Sequence, residues 1–205
     1  MESLNKLRVV NVRTYFSDEA GDDSGMKILE KFYSNFSCDK NLDVENFLKK
    51  QSIEFTKKNQ SVTYLVFTND TFSLVGYFTL AIKPIVVPAK GLSNTMKRKI
   101  ARVSKFDEEK GSYTLAAYLI AQLGKNYSEN TKDKITGKQL LSMAIDKIKE
   151  LQYRAGGMVI FLEAEEHEKL MNFYEVENGF KRFDRKEVNG KDSQKHELVQ
   201  LLKVM

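Results

Sequence analysis

SYTLAAYLIAQLGKN (residues 112–126), KDKITGKQLLSMAIDKIKELQ (132–152), GMVIFLEAE (157–165) and NFYEVENGF (172–180) follow one another in the second half of the chain. Residues 113–123 are almost all apolar, as expected of a central strand covered on both faces. In the second stretch Leu140, Leu141, Ala144, Ile145, Ile148 and Leu151 recur at helical spacing, while Lys138, Asp146, Lys147 and Glu150 fall elsewhere on the wheel. Gly156-Gly157 stops that helix. Residues 158–162 read as a buried strand and 167–177 as a short helix, with Gly179 suited to a left-handed C-terminal cap. The order strand, helix, strand, helix predicts an α/β core.

The turn Lys132-Asp133-Lys134-Ile135-Thr136-Gly137 lies between a strand and a helix start. Unpaired amides and the helix dipole favour an anion there, glycine lets it approach the backbone, and Lys132, Lys134 and Lys138 add positive charge. The turn lacks the spacing of a P-loop and the three glycines of a dinucleotide fingerprint. By itself a glycine among lysines at a helix start is more often an ordinary structural feature.

Taken together these segments resemble the acetyl-CoA-binding half of the Gcn5-related N-acetyltransferase family. That family holds the coenzyme pyrophosphate on a Gln/Arg-x-x-Gly-x-Gly/Ala turn. Gly137 matches its last position, Lys132 stands for the first Gln/Arg, and Ile135 replaces the inner glycine. The resemblance implies cofactor contacts from Lys132, Lys134, Ile135, Thr136, Gly137 and Lys138. It also places Leu123-Gly124-Lys125 where the family commonly has Leu-Ala-Val at the end of its fourth strand. There, free main-chain groups pair with the pantetheine arm and the thioester carbonyl, and such a donor stabilises an oxyanion.

The run Asn172-Phe173-Tyr174-Glu175-Val176-Glu177-Asn178-Gly179-Phe180 looks like the family's Phe/Leu-Tyr-Glu-x-x-Gly-Phe signature with one extra residue before the glycine. Tyr174 falls on the tyrosine that faces the coenzyme sulfur, where a phenol can protonate the departing thiolate. The plainer reading of Tyr174 is a core residue with its hydroxyl at the surface. His167 stands where the family often has a coenzyme-contacting Asn, and Leu170 where it has a small Ala. Glu163 or Glu165 could order a water, but neither is singled out as a base. His167 and His196 lack any metal-binding spacing, and no metal is expected.

The rest of the chain is read more coarsely. Residues 7–15 suggest a strand, 17–25 a polar acidic loop, and 26–36 and 43–58 helices, the second capped by Asp43. Residues 62–68 and 72–82 form a hairpin about Asn69-Asp70-Thr71, Gly76 marks a bulge or a close backbone approach, and Pro84 and Pro88 close the strand. A short helix is expected near residues 95–103, and residues 180–188 and 197–204 form a last hairpin around Asn189-Gly190. The chain is thus expected to be a single domain over residues 1–205. Its sheet is mixed and mostly antiparallel, splayed at the central strand and flanked by helices, with an insertion at 83–111.

Composition bounds the setting. The lone Cys38 excludes an intramolecular disulfide, and no apolar run approaches the ~20 residues of a membrane span. With no signal-peptide pattern at residues 1–10, a cytoplasmic protein without a membrane partner is expected. Lys83, Lys90, Lys97, Arg98, Lys99, Arg102, Lys105 and Lys110 face only Asp107, Glu108 and Glu109, an excess that equals the whole net charge of +5. Such a patch attracts phosphates, RNA or acidic partners, or is plain solvated surface.

The reaction that the resemblance implies is acetyl transfer from acetyl-CoA to a primary amine by direct attack, without a covalent enzyme intermediate. The acceptor is a small molecule, a protein or an aminoacyl-tRNA, the last as in toxin members of the family, and a homodimer is compatible with this. A non-catalytic coenzyme-binding or regulatory module is the alternative, suggested by Ile135 and His167.

Overall fold

A computed structural model describes residues 6–17, 23–189 and 195–205. Most of the acidic loop, the Gly190 turn and the side chain of His196 lie outside the described residues. Strands lie in the order β1 (Leu7–Asn11), β2 (Val62–Thr68), β3 (Leu74–Pro88), β5 (Ser112–Lys125), β6 (Val159–Glu165), β8 (Lys195–Val204), β7 (Lys181–Asn189), with β4 (Phe106–Asp107) beside β5. The described pairings are antiparallel except β5 with β6, so the sheet is mixed and mostly antiparallel, as expected. Contacts divide the chain into two compact units, Met1–Ala81 with Ile120–Lys147 and Ile82–Leu119 with Ile148–Met205.

In the first unit β1 (Leu7–Asn11) pairs with β2 (Val62–Thr68), which pairs with β3 (Leu74–Pro88). The first strand is shorter than expected because Asn11 accepts a bond from the Arg13 N–H at 2.9 Å and caps a 3-10 turn, Val12–Tyr15. Helix α1 is Ser24–Ser34. The helix expected over 43–58 is two, α2 (Leu42–Lys50) and α3 (Ser52–Lys57), broken at Gln51. Asn41 caps α2 instead of Asp43, its Oδ1 accepting from the amides of Asp43 and Val44. Leu29, Tyr33 and Phe36 join Phe47, Leu48, Leu65, Phe67, Leu74 and Tyr77 in the core of this unit.

Both readings of Gly76 hold. Val66 faces Gly76 while Phe67 faces Leu74, so Val75 is the extra residue of a bulge. A Cβ on Gly76 would also lie 3.0 Å from the Gly124 carbonyl oxygen, which marks a close backbone approach.

One polar residue of this unit is fully buried yet fully bonded. Asn126, 1% exposed, accepts at Oδ1 from the amides of Ser37 (3.1 Å) and Ser128 (3.0 Å). Its Nδ2 donates to the carbonyls of Asn35 (3.0 Å) and Leu74 (2.8 Å). A carboxamide has two donors and two principal acceptor sites, and all four are used.

In the second unit β3 does not stop at Pro84, since the strand continues to Pro88. Helix α4 (Asn94–Ile100) follows, then β4 (Phe106–Asp107), paired with the start of β5 (Ser112–Lys125). The segment 83–111 is built into this unit's core, where Ile85, Val87, Leu92 and Ile100 pack with Tyr113, Leu115, Val159, Phe161 and Leu202. Strand β6 (Val159–Glu165) runs parallel to β5 and antiparallel to β8 (Lys195–Val204), with β7 (Lys181–Asn189) outside β8. Helix α5 (Gly137–Ala155) ends where Gly156 and Gly157 take φ of +77° and +92°. Glu168–Met171 is a short helix, α6.

Removing the Asn126 side chain strands one buried carbonyl, that of Leu74, and deprives three part-buried backbone groups of their partner; a group that water cannot reach costs about 1–3 kcal/mol. Asn126→Ala should therefore lower the unfolding free energy by on the order of 3 kcal/mol. Asn126→Asp should do no better, since it loses both donors and brings negative charge to two carbonyl oxygens. Urea titration reads both variants, and an unchanged midpoint would show that the network is dispensable.

Candidate functional site

In the first unit the turn before α5 is organised by a capping box. The Thr136 hydroxyl accepts from the Gln139 N–H at 3.2 Å, and Gln139 Oε1 accepts from the Thr136 N–H at 2.9 Å. The next two amides, of Gly137 and Lys138, donate to no acceptor among the described residues. Two N–H groups at the positive end of a 19-residue helix are thus open to an anion. Ile135 is buried at 1% exposure and its φ is negative, so this position needs no glycine. Lys132 and Lys134 are exposed beside the turn, and Lys134 Nζ reaches the Thr71 hydroxyl at 3.4 Å.

Leu123, Gly124 and Lys125 end β5. The parallel register of β5 with β6 consists of Tyr118↔Ile160 and Leu119↔Phe161, so these three residues have no β6 partner among the described residues. Gly124 is glycine for a local reason. A Cβ there would meet the Tyr77 ring at 2.4 Å and Val44 Cγ1 at 2.6 Å. Tyr77 is locked in that place by its hydroxyl, which donates to the Val44 carbonyl at 2.6 Å. The alanine usual in the resembling family has no room here.

The second unit carries Tyr174. The extra residue of its motif is absorbed as a π-helical turn over Asn172–Glu177, the one-residue expansion that recurs at functional sites. Gly179, at φ +71°, ends it in the left-handed conformation, and the Phe180 N–H closes back on the Tyr174 carbonyl at 3.0 Å. Asn178 Nδ2 bonds the Phe173 carbonyl at 2.7 Å. The Tyr174 ring stands edge-on to Phe173 (5.0 Å between centroids) and Phe180 (6.0 Å). Its hydroxyl has no hydrogen-bond partner among the described residues, yet it is not among the sealed orphan atoms, which are Ser61 Oγ and Ser112 Oγ. Burial pushes the phenol up to about 12.

The other candidates are committed elsewhere. His167 is the N-cap of α6, its Nδ1 accepting from the Lys169 N–H at 3.3 Å. Glu163 binds Lys186 (3.0 Å) and Gln200 (2.7 Å). The neighbouring Glu166 bridges Arg182 and Arg185. Cys38 is buried, and desolvation raises its thiol. The described residues contain no cluster of His, Cys, Asp or Glu able to hold a metal. Sequence reasoning missed Asn126, which anchors the end of β5. Its one signal was an Asn placed directly after an apolar run.

The architecture has close counterparts among solved structures. AtaT complexed with acetyl-methionyl-tRNAfMet superposes with a TM-score of 0.62 at 16% identity, covering 97% of this chain and 94% of that one. A mutant of KacT gives 0.58 at 17%, covering 95% of each. AtaTR bound with AcCoA gives 0.54 at 16%, covering 98% and 94%. The chain has the Gcn5-related N-acetyltransferase fold. No family model and no curated protein sequence matches it.

Gly124→Ala should destabilise the protein by about 1–3 kcal/mol, the cost of overpacking a site whose neighbours are fixed. The double change Gly124→Ala with Tyr77→Leu should recover part of that loss in a thermal melt. No recovery would mean that the Tyr77 ring is not what confines the position.

Proposed function

We propose that the protein transfers the acetyl group of acetyl-CoA to the free α-amino group of an aminoacyl-tRNA. The observation that carries this reading is Tyr174: a phenol held by two aromatic rings on a π turn, protonated at neutral pH, with no partner for its hydroxyl among the described residues. The main-chain groups of Leu123, Gly124 and Lys125 would pair with the pantetheine arm. The Gly137 and Lys138 amides would hold the pyrophosphate, with Lys132, Lys134 and Lys138 as counter-charges and Ile135 and Thr136 shaping the turn.

The neutral amine attacks the thioester carbonyl, forming the C–N bond. As the C–S bond breaks, the thiolate takes the Tyr174 proton, which solvent later restores. The excess proton on the new amide nitrogen leaves to water, and no carboxylate is assigned as base. A pKa near 12 does not spoil the acid, because a thiolate expelled into the same desolvated surroundings is made more basic by the same cause. His167 fits this scheme as a capping residue, not as a coenzyme ligand.

Two observations support the RNA-borne acceptor over a small amine. AtaT, of the same fold, is seen with acetyl-methionyl-tRNAfMet. Among the eight cations of 83–110, Lys110 alone has an ion-pair partner among the described residues, Asp107 at 3.3 Å. That leaves seven charges for a polyanion.

Acetyl-CoA should raise the melting temperature, and Gly137→Glu should abolish the shift by placing a carboxylate at the cradle. If saturating acetyl-CoA moves nothing, the coenzyme reading fails. Tyr174→Phe keeps the ring and should leave the melting temperature nearly unchanged while kcat falls ~10–100-fold. Because the phenol titrates at about 12, kcat should show no descending limb between pH 8 and 10. A fall centred near pH 10 in the wild type, absent in the Phe variant, would mean an ordinary exposed phenol. Assays of free thiol release with methionyl-tRNA, peptides and simple amines would decide the acceptor.

A further inference from the structure

At the end of β5, within the first unit, two ammonium groups converge on one aromatic ring. Lys40 Nζ lies 4.4 Å and Lys125 Nζ 5.3 Å from the centroid of Tyr127, which puts the two charges within about 10 Å of each other. Neither lysine has an ion-pair partner among the described residues. The ring is held rigidly. The Tyr127 N–H donates to the Ser37 carbonyl at 2.7 Å, Asn126 binds the amides on either side of that contact, and the ring packs half-buried on the core of its unit. Two like charges gathered on a fixed ring repel each other until an anion joins them. The arrangement is pre-organised for one.

The coenzyme has no use for an anion site here. In the proposed reading, which this inference rests on, its phosphates sit at the start of α5. The end of β5 instead meets the thioester and the pantetheine arm, which carry no charge. A cationic pair at the acyl end serves the other reactant. We infer that Lys40, Lys125 and Tyr127 form a clamp for the terminal phosphodiester of the acceptor RNA, fixing the strand that bears the aminoacyl group. The ring holds the two lysines apart and aimed, and each ammonium contributes a phosphate contact.

The test is direct binding, independent of turnover. A single-stranded RNA ending in CCA is titrated against wild type, Lys40→Gln, and the double variant with Lys125→Gln, across a salt series. Each phosphate contact contributes a slope of about 0.7 in log K against log salt, or ~5-fold in affinity at 0.1 M. Lys40→Gln should lose about one such increment and the double variant about two, whereas Lys40→Arg should retain the wild-type slope. Equal binding by wild type and the double variant would overturn the clamp. So would an acetyl-CoA affinity that falls in step with the RNA affinity, because the anion would then be the coenzyme's own. Acetylation of methionyl-tRNA by the same wild-type preparation reports separately on the transfer reaction. Melting curves of each variant exclude simple misfolding, which Lys40, exposed at the surface, gives little reason to expect.

Discussion

The buried carboxamide of Asn126 is the constraint on which the first unit is organised. Where β5 ends, the chain must leave the sheet, cross to a loop and begin α5, and each step exposes backbone groups that would otherwise be stranded away from water. Asn126 answers three segments at once. It takes the Asn35 carbonyl and the Ser37 amide after α1, the Leu74 carbonyl at the start of β3, and the Ser128 amide that begins the loop. Its own amide bonds the Val75 carbonyl at 2.9 Å, beside the bulge. Serine or threonine could not make four bonds, aspartate has no donors to offer the two carbonyls, and glutamine would be one methylene too long. Everything proposed for Leu123, Gly124 and Lys125 depends on the strand stopping where this side chain holds it.

Gly124 shows the same constraint from the other side. The strand end is pressed against Tyr77 and Val44, and Tyr77 is tied to α2 by its own hydroxyl. Desolvation raises that phenol well above its ordinary value, so the bond persists over the working pH range. A sequence comparison sees only an alanine replaced by glycine. The structure gives the reason: the Tyr77 ring and Val44 Cγ1 occupy the space a Cβ would need.

The legible parts of the sequence were those with a strong period. The apolar faces of α5 and β5, the glycine stops at 156–157 and the left-handed Gly179 follow from spacing and backbone chemistry alone, and they carried the fold. Local competition spoiled the rest. Asn11 turned the chain into a 3-10 turn although Val12 still looked like strand. Asn41 outcompeted Asp43 as a cap because its side chain reaches two amides. Pro84 did not end β3, since a proline can sit in a strand where no ladder donor is required. The extra residue in the Tyr174 motif was visible as an insertion, but whether it would loop out or expand the helix depended on Asn178 and Phe180 closing back by one further residue. Asn126 was opaque for another reason: its partners lie up to 91 residues away, and an asparagine after a strand reads locally as a turn.

Charge completes the division of labour. Glu175, in the segment that carries Tyr174, and Glu166 before it are ion-paired: Arg182 grips both oxygens of Glu175 at 3.0 Å, and Glu166 ties Arg182 to Arg185. For the acid role proposed for Tyr174, a tyrosine suits the position better than a histidine. In the proposed reaction a histidine would sit half-deprotonated near neutral pH, whereas a phenol raised by burial would stay protonated until the thiolate forms. In that proposed reaction the same desolvation that makes it a weak acid at rest would strengthen its bond to a developing thiolate, so its rate advantage would arise only as the C–S bond breaks.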